Sequence, residues 1–136
     1  MSAIQTIHVI DDDAMIRISL QAVLEAAGYI VQVHESAWAF LNTLKNDAFG
    51  CIVTDLNMPQ MSGIELLCEI RKLRMGMRMP AIIISGLMNA RLKQTGEEQG
   101  AFRCFQKPVD LDALLAAIHA ALVHTYGADE NSALCD

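Results

Sequence analysis

No apolar run in this 136-residue chain approaches the length that a membrane span requires. Met1 to Gln5 has neither the basic start nor the long apolar segment of a signal peptide, so a cytoplasmic location is expected, without membrane contact. The four cysteines, Cys51, Cys68, Cys104 and Cys135, form no CxxC pair and have no histidine at metal-ligand spacing. They are expected to be reduced thiols, mostly small core fillers, and no zinc site is expected. Basic residues are also short: 10 Lys and Arg against 16 Asp and Glu, for a net charge of −6. A surface of that sign repels phosphate backbones, so direct nucleic-acid binding by this domain is not expected. Internal repeats and low-complexity segments are missing too.

What remains is apolar and ordered. Hydrophobic residues make up 53% of the chain, which excludes disorder for most of its length and suffices for one domain with a real core. That domain is expected over residues 1–126, with 127–136 a small acidic tail or the start of a linker. Ile7-His8-Val9-Ile10 reads as a strand ending in Asp11-Asp12-Asp13. Ile16, Leu20, Val23, Leu24 and Ala27 then recur at helical spacing, with Asp13 as N-cap and Gly28 as stop. Tyr29 to Val33 is a second strand, and Ser36 caps a helix whose inward stripe is Ala37, Phe40, Leu41 and Leu44, closed by the turn Lys45-Asn46-Asp47. Cys51 to Asp55 is a buried strand that ends where Pro59 and Gly63 force a loop.

Leu66, Ile70 and Leu73, with Ile64 and Leu67 alongside, mark the next helix, and Arg71, Lys72 and Arg74 complement its dipole at the C-terminal end. Met75 to Pro80 connects to the strand Ala81-Ile82-Ile83-Ile84, closed by Ser85-Gly86. Asn89 to Gln99 is weakly patterned, contains Gly96 and is expected to be a loosely held helix. Phe102 to Gln106 is a fifth strand, Lys107-Pro108 follows, and Leu111, Leu114, Leu115, Ile118 and Leu122 define the last helix. Five strands alternating with five helices predict a doubly wound α/β fold with a parallel sheet.

In such a fold Asp11, Asp12, Asp55, Ser85 and Lys107 all arrive at the carboxyl edge of the sheet, where open α/β sheets bind ligands. Each alone has an ordinary structural explanation as a cap, a turn aspartate or a surface lysine. Together they do not, because stability alone would not gather three carboxylates with one hydroxyl and one ammonium. Crowded carboxylates call for a cation, and hard oxygen ligands suit Mg²⁺. A carboxylate beside Mg²⁺ can attack a phosphoryl group and hold it as an acyl phosphate, with a lysine and a hydroxyl on the phosphoryl oxygens.

Asp11-Asp12, the run Asp55-Leu56-Asn57-Met58-Pro59 with Met61-Ser62-Gly63, Ser85-Gly86 and Lys107-Pro108 together resemble the receiver domain of two-component response regulators, over about Ile7 to Thr125. The resemblance implies strand order 2-1-3-4-5. It makes Asp55 the phosphoacceptor, Asp12 a direct Mg²⁺ ligand, Asp11 a ligand through water and Asn57 a ligand through its backbone carbonyl. Ser85 and Lys107 would hold phosphoryl oxygens. The implied donor is a phosphohistidine on a sensor histidine kinase or phosphotransfer protein. The implied output is a conformational change across helix four, strand five and helix five, a surface that would also serve a homodimer. Such a module is not a turnover enzyme, although it catalyses transfer to its own aspartate. The wording around Met58 to Ser62 resembles receivers that precede a helix-turn-helix effector domain in transcription regulators.

Two positions depart from the family pattern. Cys104 stands where an aromatic switch ring is usual, and strand alternation predicts Phe102 on the face of Cys104 and Phe105 on the opposite face. Leu87 stands where a polar side chain would orient attacking water, so slow self-dephosphorylation is expected. Among other classes, a haloacid-dehalogenase-type phosphatase would carry its nucleophile after the first strand, and a flavin or nucleotide binder would not place three aspartates there. A degenerate receiver acting as a phosphorylation-independent interaction module is the remaining alternative.

Overall fold

The computed structural model describes residues 5–44, 49–73 and 79–127. Within them the strands are β1 Thr6–Ile10, β2 Ile30–His34, β3 Cys51–Asp55, β4 Ala81–Ser85 and β5 Ala101–Gln106. The helices are α1 Ala14–Ala26, α2 Ala37–Thr43, α3 Gly63–Arg71, α4 Ala90–Glu98 and α5 Leu111–Tyr126. All pairings are parallel, and the order is β2-β1-β3-β4-β5. The doubly wound architecture expected from the alternation of apolar runs is therefore present. The turn Lys45-Asn46-Asp47, Arg74, the connector from Met75 to Arg78 and the tail beyond Gly127 lie outside the described residues.

β3 and β4 are buried at every position, which explains why their sequences run apolar without alternation. The sheet separates two cores. On one face Ile10, Ile52 and Ile83 pack with Phe40 of α2 and Leu66 and Ile70 of α3. On the other, Val9, Val53 and Ile84 pack with Leu20 and Leu24 of α1 and Leu114, Ile118 and Leu122 of α5. Burial at this scale contributes about 25 cal/mol per Å² of apolar surface and dominates the stability. Leu73, expected on the inner stripe of α3, is instead 41% exposed, because the helix ends at Arg71.

Side-chain caps fix where helices begin. Asp13 accepts from the Met15 amide, Ser36 from Ala39, Asn89 from Leu92, and Asp110 from Asp112. Ser62 and Glu65 form a reciprocal capping box at the start of α3. Gly63 is needed there for space: a Cβ would lie 2.6 Å from the Asp55 carbonyl oxygen. At the opposite end of the sheet the Tyr126 hydroxyl accepts from the Gly50 amide and donates to the Gly50 carbonyl, at 2.9 and 3.1 Å.

Two local features were not foreseen. His8 and His34 stack within the α2-facing core, ring centroids 5.7 Å apart, and each meets the edge of Phe40 at 5.2 Å. Among the described residues His8 Nδ1 and His34 Nε2 are buried without a hydrogen-bond partner. Burial lowers the pKa of His8 and, with the charge of His8 adding to it, lowers that of His34 to about 4, so both rings are neutral in the folded protein near neutral pH.

The second feature corrects the expectation for β5. Pairing with β4 slips by one residue, Ala81 opposing Ala101 but Ile82 opposing Arg103, so Phe102 is the extra residue of a bulge. Alternation breaks there. Phe102 turns to the α5 side with Phe105, its ring 5.8 Å from His124, while Cys104 faces the other core beneath α4. Phe102 thus does not share the face of Cys104 and cannot stand in for a ring at that position. α4 buries only Gly96, and it approaches β5 closely because that residue has no side chain: a Cβ would sit 2.8 Å from Cys104 Sγ. Burial pushes the Cys104 thiol up to about 11, so it is a packing group.

Candidate functional site

β1 is flanked by β2 on one side and β3 on the other, so the chain reverses its winding direction between β1 and β3, and a crevice opens at their carboxyl ends. Those ends carry Asp11, Asp12 and Asp55. One ligand atom from each lies within 4.8 Å of the others, which makes the group a candidate metal centre. Asp11 and Asp55 are buried, at 1% and 6% exposure, and Asp12 is exposed.

Lys107, directly after β5, reaches back across β4. Its Nζ lies 3.1 Å from Asp11 Oδ2 and 3.3 Å from Asp55 Oδ1. Its position is set by the backbone, since the Lys107 amide donates to the Ser85 carbonyl at 2.9 Å. Asp11 also accepts from the Asp13 amide, and Arg17 Nη1 donates to the Asp11 carbonyl.

The electrostatics follow from crowding. Burial, with the charge of Asp11 next, raises the Asp55 carboxyl above its ordinary range, and this prevails over the charge and hydrogen bond of Lys107 and a bond from the Asn57 amide. For Lys107 burial disfavours charge, but the bond and charge of Asp11 and then of Asp55 outweigh it and raise the pKa above normal. Asp55 is therefore a carboxylate whose negative charge is under-compensated. Such a group gains from a cation beside it.

Ser85 closes the site. It is fully buried, and its Oγ accepts from Asn57 Nδ2 and from the Leu87 amide, each at 3.0 Å. Every residue expected at this edge is there: Asp11, Asp12, Asp55, Asn57, Ser85 and Lys107. Cys104, at the usual switch-ring position within β5, packs beneath α4 in the core. The donor set fits a hard divalent cation, being carboxylate oxygens in a part-solvated cleft with no sulfur or imidazole among them. Sequence reasoning missed the Asn57 side-chain bond to Ser85. No pattern of residue types signals it, since it depends on how the β3–α3 loop turns.

Strand order, switch-point crevice and acidic edge with its lysine define a flavodoxin-like α/β domain with an oxygen-rich phosphate-chemistry site. The chain belongs to the response-regulator receiver family: the family model described as response regulator receiver domain matches residues 7–119. It is 41% identical over 116 residues to the transcriptional regulatory protein FixJ of Azorhizobium caulinodans, which covers 85% of this chain and 54% of the relative. To FixJ of Rhizobium meliloti it is 35% identical over 124 residues, covering 91% and 60%. The chain thus spans little more than half the length of the curated relatives it matches. Among solved structures the FixJ N-terminal domain superposes with TM-score 0.82 at 35% identity, covering 91% of this chain and 97% of that one.

Proposed function

We propose that the chain is a working phosphoacceptor, and that Asp55 takes a phosphoryl group from the phosphohistidine of a sensor kinase or phosphotransfer protein. The observation that carries this reading is the bridging of two buried carboxylates by Lys107 beside Asp12 and Ser85. In the transfer the Asp55 oxygen attacks phosphorus, a P–O bond forms as the P–N bond of the donor breaks, and the imidazole leaves. Asp55 contributes a nucleophile aligned by the Asn57 amide, Lys107 balances charge on a phosphoryl oxygen, and the Ser85 hydroxyl donates to another. Asp11, Asp12, Asp55 and the Asn57 carbonyl would hold Mg²⁺, which when bound neutralises oxygen charge in the transferring group.

Access for a donor is supported by an apolar groove of about 450 Å³ next to Lys107, lined by Met15, Leu20, Ile84, Pro108 and Leu111 among others. Among the described residues no helix is long and apolar enough to cross a membrane. Leu87, 71% exposed beside Ser85, cannot orient a water molecule, so the acyl phosphate should hydrolyse slowly. Output runs through α4, β5 and α5, either to an effector domain of a transcription regulator or to a second copy of the chain.

The test is intact mass after incubation with a small acyl-phosphate donor, with and without Mg²⁺. A Mg²⁺-dependent adduct absent from Asp55→Asn is the expected result. No adduct on the native chain under either condition would sink the reading.

A further inference from the structure

Asn57 touches both halves of the switch. Its amide N–H donates to the Asp55 carboxylate, and its side-chain Nδ2 donates to Ser85 Oγ at 3.0 Å. Ser85 is fully buried, and with the Leu87 amide also donating to it, both lone pairs of its oxygen are filled. No hydrogen bond joins Ser85 to Asp55 among the described residues. Any movement of the hydroxyl toward a phosphoryl group on Asp55 would stretch or break the bond from Asn57.

We propose that the Asn57 carboxamide is a latch, a positioning residue that holds Ser85 in its resting place and sets how strongly the site must bind a phosphoryl group before the switch moves. The proposal rests on the phosphoacceptor reading and goes beyond it, because there only the backbone of Asn57 has a role. The latch lies in a side chain that is itself exposed, so it can be removed without opening a cavity. It also offers a means of switching that needs no rotating ring, in a chain whose usual ring position is the buried Cys104.

The experiment measures the affinity of the native chain for beryllofluoride, a tetrahedral phosphoryl mimic, in the presence of Mg²⁺. The same measurement is made on Asn57→Ala, Asn57→Leu, Ser85→Ala and the Asn57→Ala, Ser85→Ala double variant. Loss of one ordinary hydrogen bond from the resting state should tighten binding about fivefold in both Asn57 variants. Asn57→Leu keeps the volume, so agreement between the two separates the lost bond from lost packing. In the Ser85→Ala background the gain should vanish, which a general effect of position 57 on the site would not do. Unchanged or weaker binding in the Asn57 variants, or an equal gain without Ser85, overturns the latch while leaving the phosphoacceptor reading intact. Failure of the native chain to bind beryllofluoride at all overturns both.

Discussion

The stacked histidines make a quantitative prediction about acid. In an unfolded chain a histidine titrates near 6.5, whereas burial holds His34 at about 4 and lowers His8 as well. A base whose pKa is depressed by folding stabilises the folded state in its neutral form. The contribution is complete above pH 6.5 and is lost as the pH falls from there toward 4. Each tenfold change in proton affinity corresponds to about 1.4 kcal/mol, which would make the full His34 effect about 3 kcal/mol. His34 keeps some contact with solvent, so screening reduces this, and only part of the window is crossed by pH 5. The expected loss between pH 8 and pH 5 is therefore about 1 kcal/mol from His34. Urea unfolding of the native chain and of His34→Gln at both pH values reads it directly. The variant removes the titrating group, so its stability should fall less on acidification, by about that amount. Asp55, whose pKa is raised, pushes the other way in both chains and cancels in the comparison. Parallel losses in the two chains would refute the assignment of a buried neutral histidine pair.

Other consequences can be measured on the same purified chain. Gly96→Ala should destabilise by about 1–3 kcal/mol through overpacking against Cys104, and Cys104→Ala in the same chain should recover most of it; additive losses in thermal melts would contradict that contact. Lys107→Ala should retain some phosphorylation of Asp55 but lose its coupling to output, so an unchanged phosphorylation-dependent shift in partner binding or oligomeric state would remove Lys107 from the switch. Adding Mg²⁺ should raise the melting temperature of the native chain, and Asp12→Asn should blunt that rise; an equal rise in both would exclude Asp12 as a ligand. A phosphoryl half-life of seconds would contradict the role inferred from Leu87.

Much of the fold was legible because the sequence speaks in two clear periods. Short runs as apolar as Ala81 to Ile84, three of whose four residues are β-branched, read as buried strands, and Leu114, Ile118 and Leu122 recur at helical spacing as a core-facing stripe. The site was legible for the same reason: once strands end at Ile10, Asp55, Ser85 and Gln106, their following polar residues must share one edge. What escaped was set by tertiary packing. A bulge inserts Phe102 without any composition signal, so alternation counted back from Cys104 leads to the wrong face. His8 looks like one polar residue in an apolar strand, and its partner His34 sits 26 positions later on a neighbouring strand, a pairing that depends on register. The capping box at Ser62 and Glu65 was readable in principle, since a serine three residues before a glutamate is its regular spacing.

The bulge also insulates the site from changes in chain length. Downstream of Phe102, Arg103 to Gln106 keep step with β4 and deliver Lys107 to the carboxylates; upstream, only Ala101 remains paired. Loss of one residue from that slack would restore an unbroken ladder without moving Lys107. A one-residue loss in the turn between α4 and β5 is thus absorbed before it reaches the lysine.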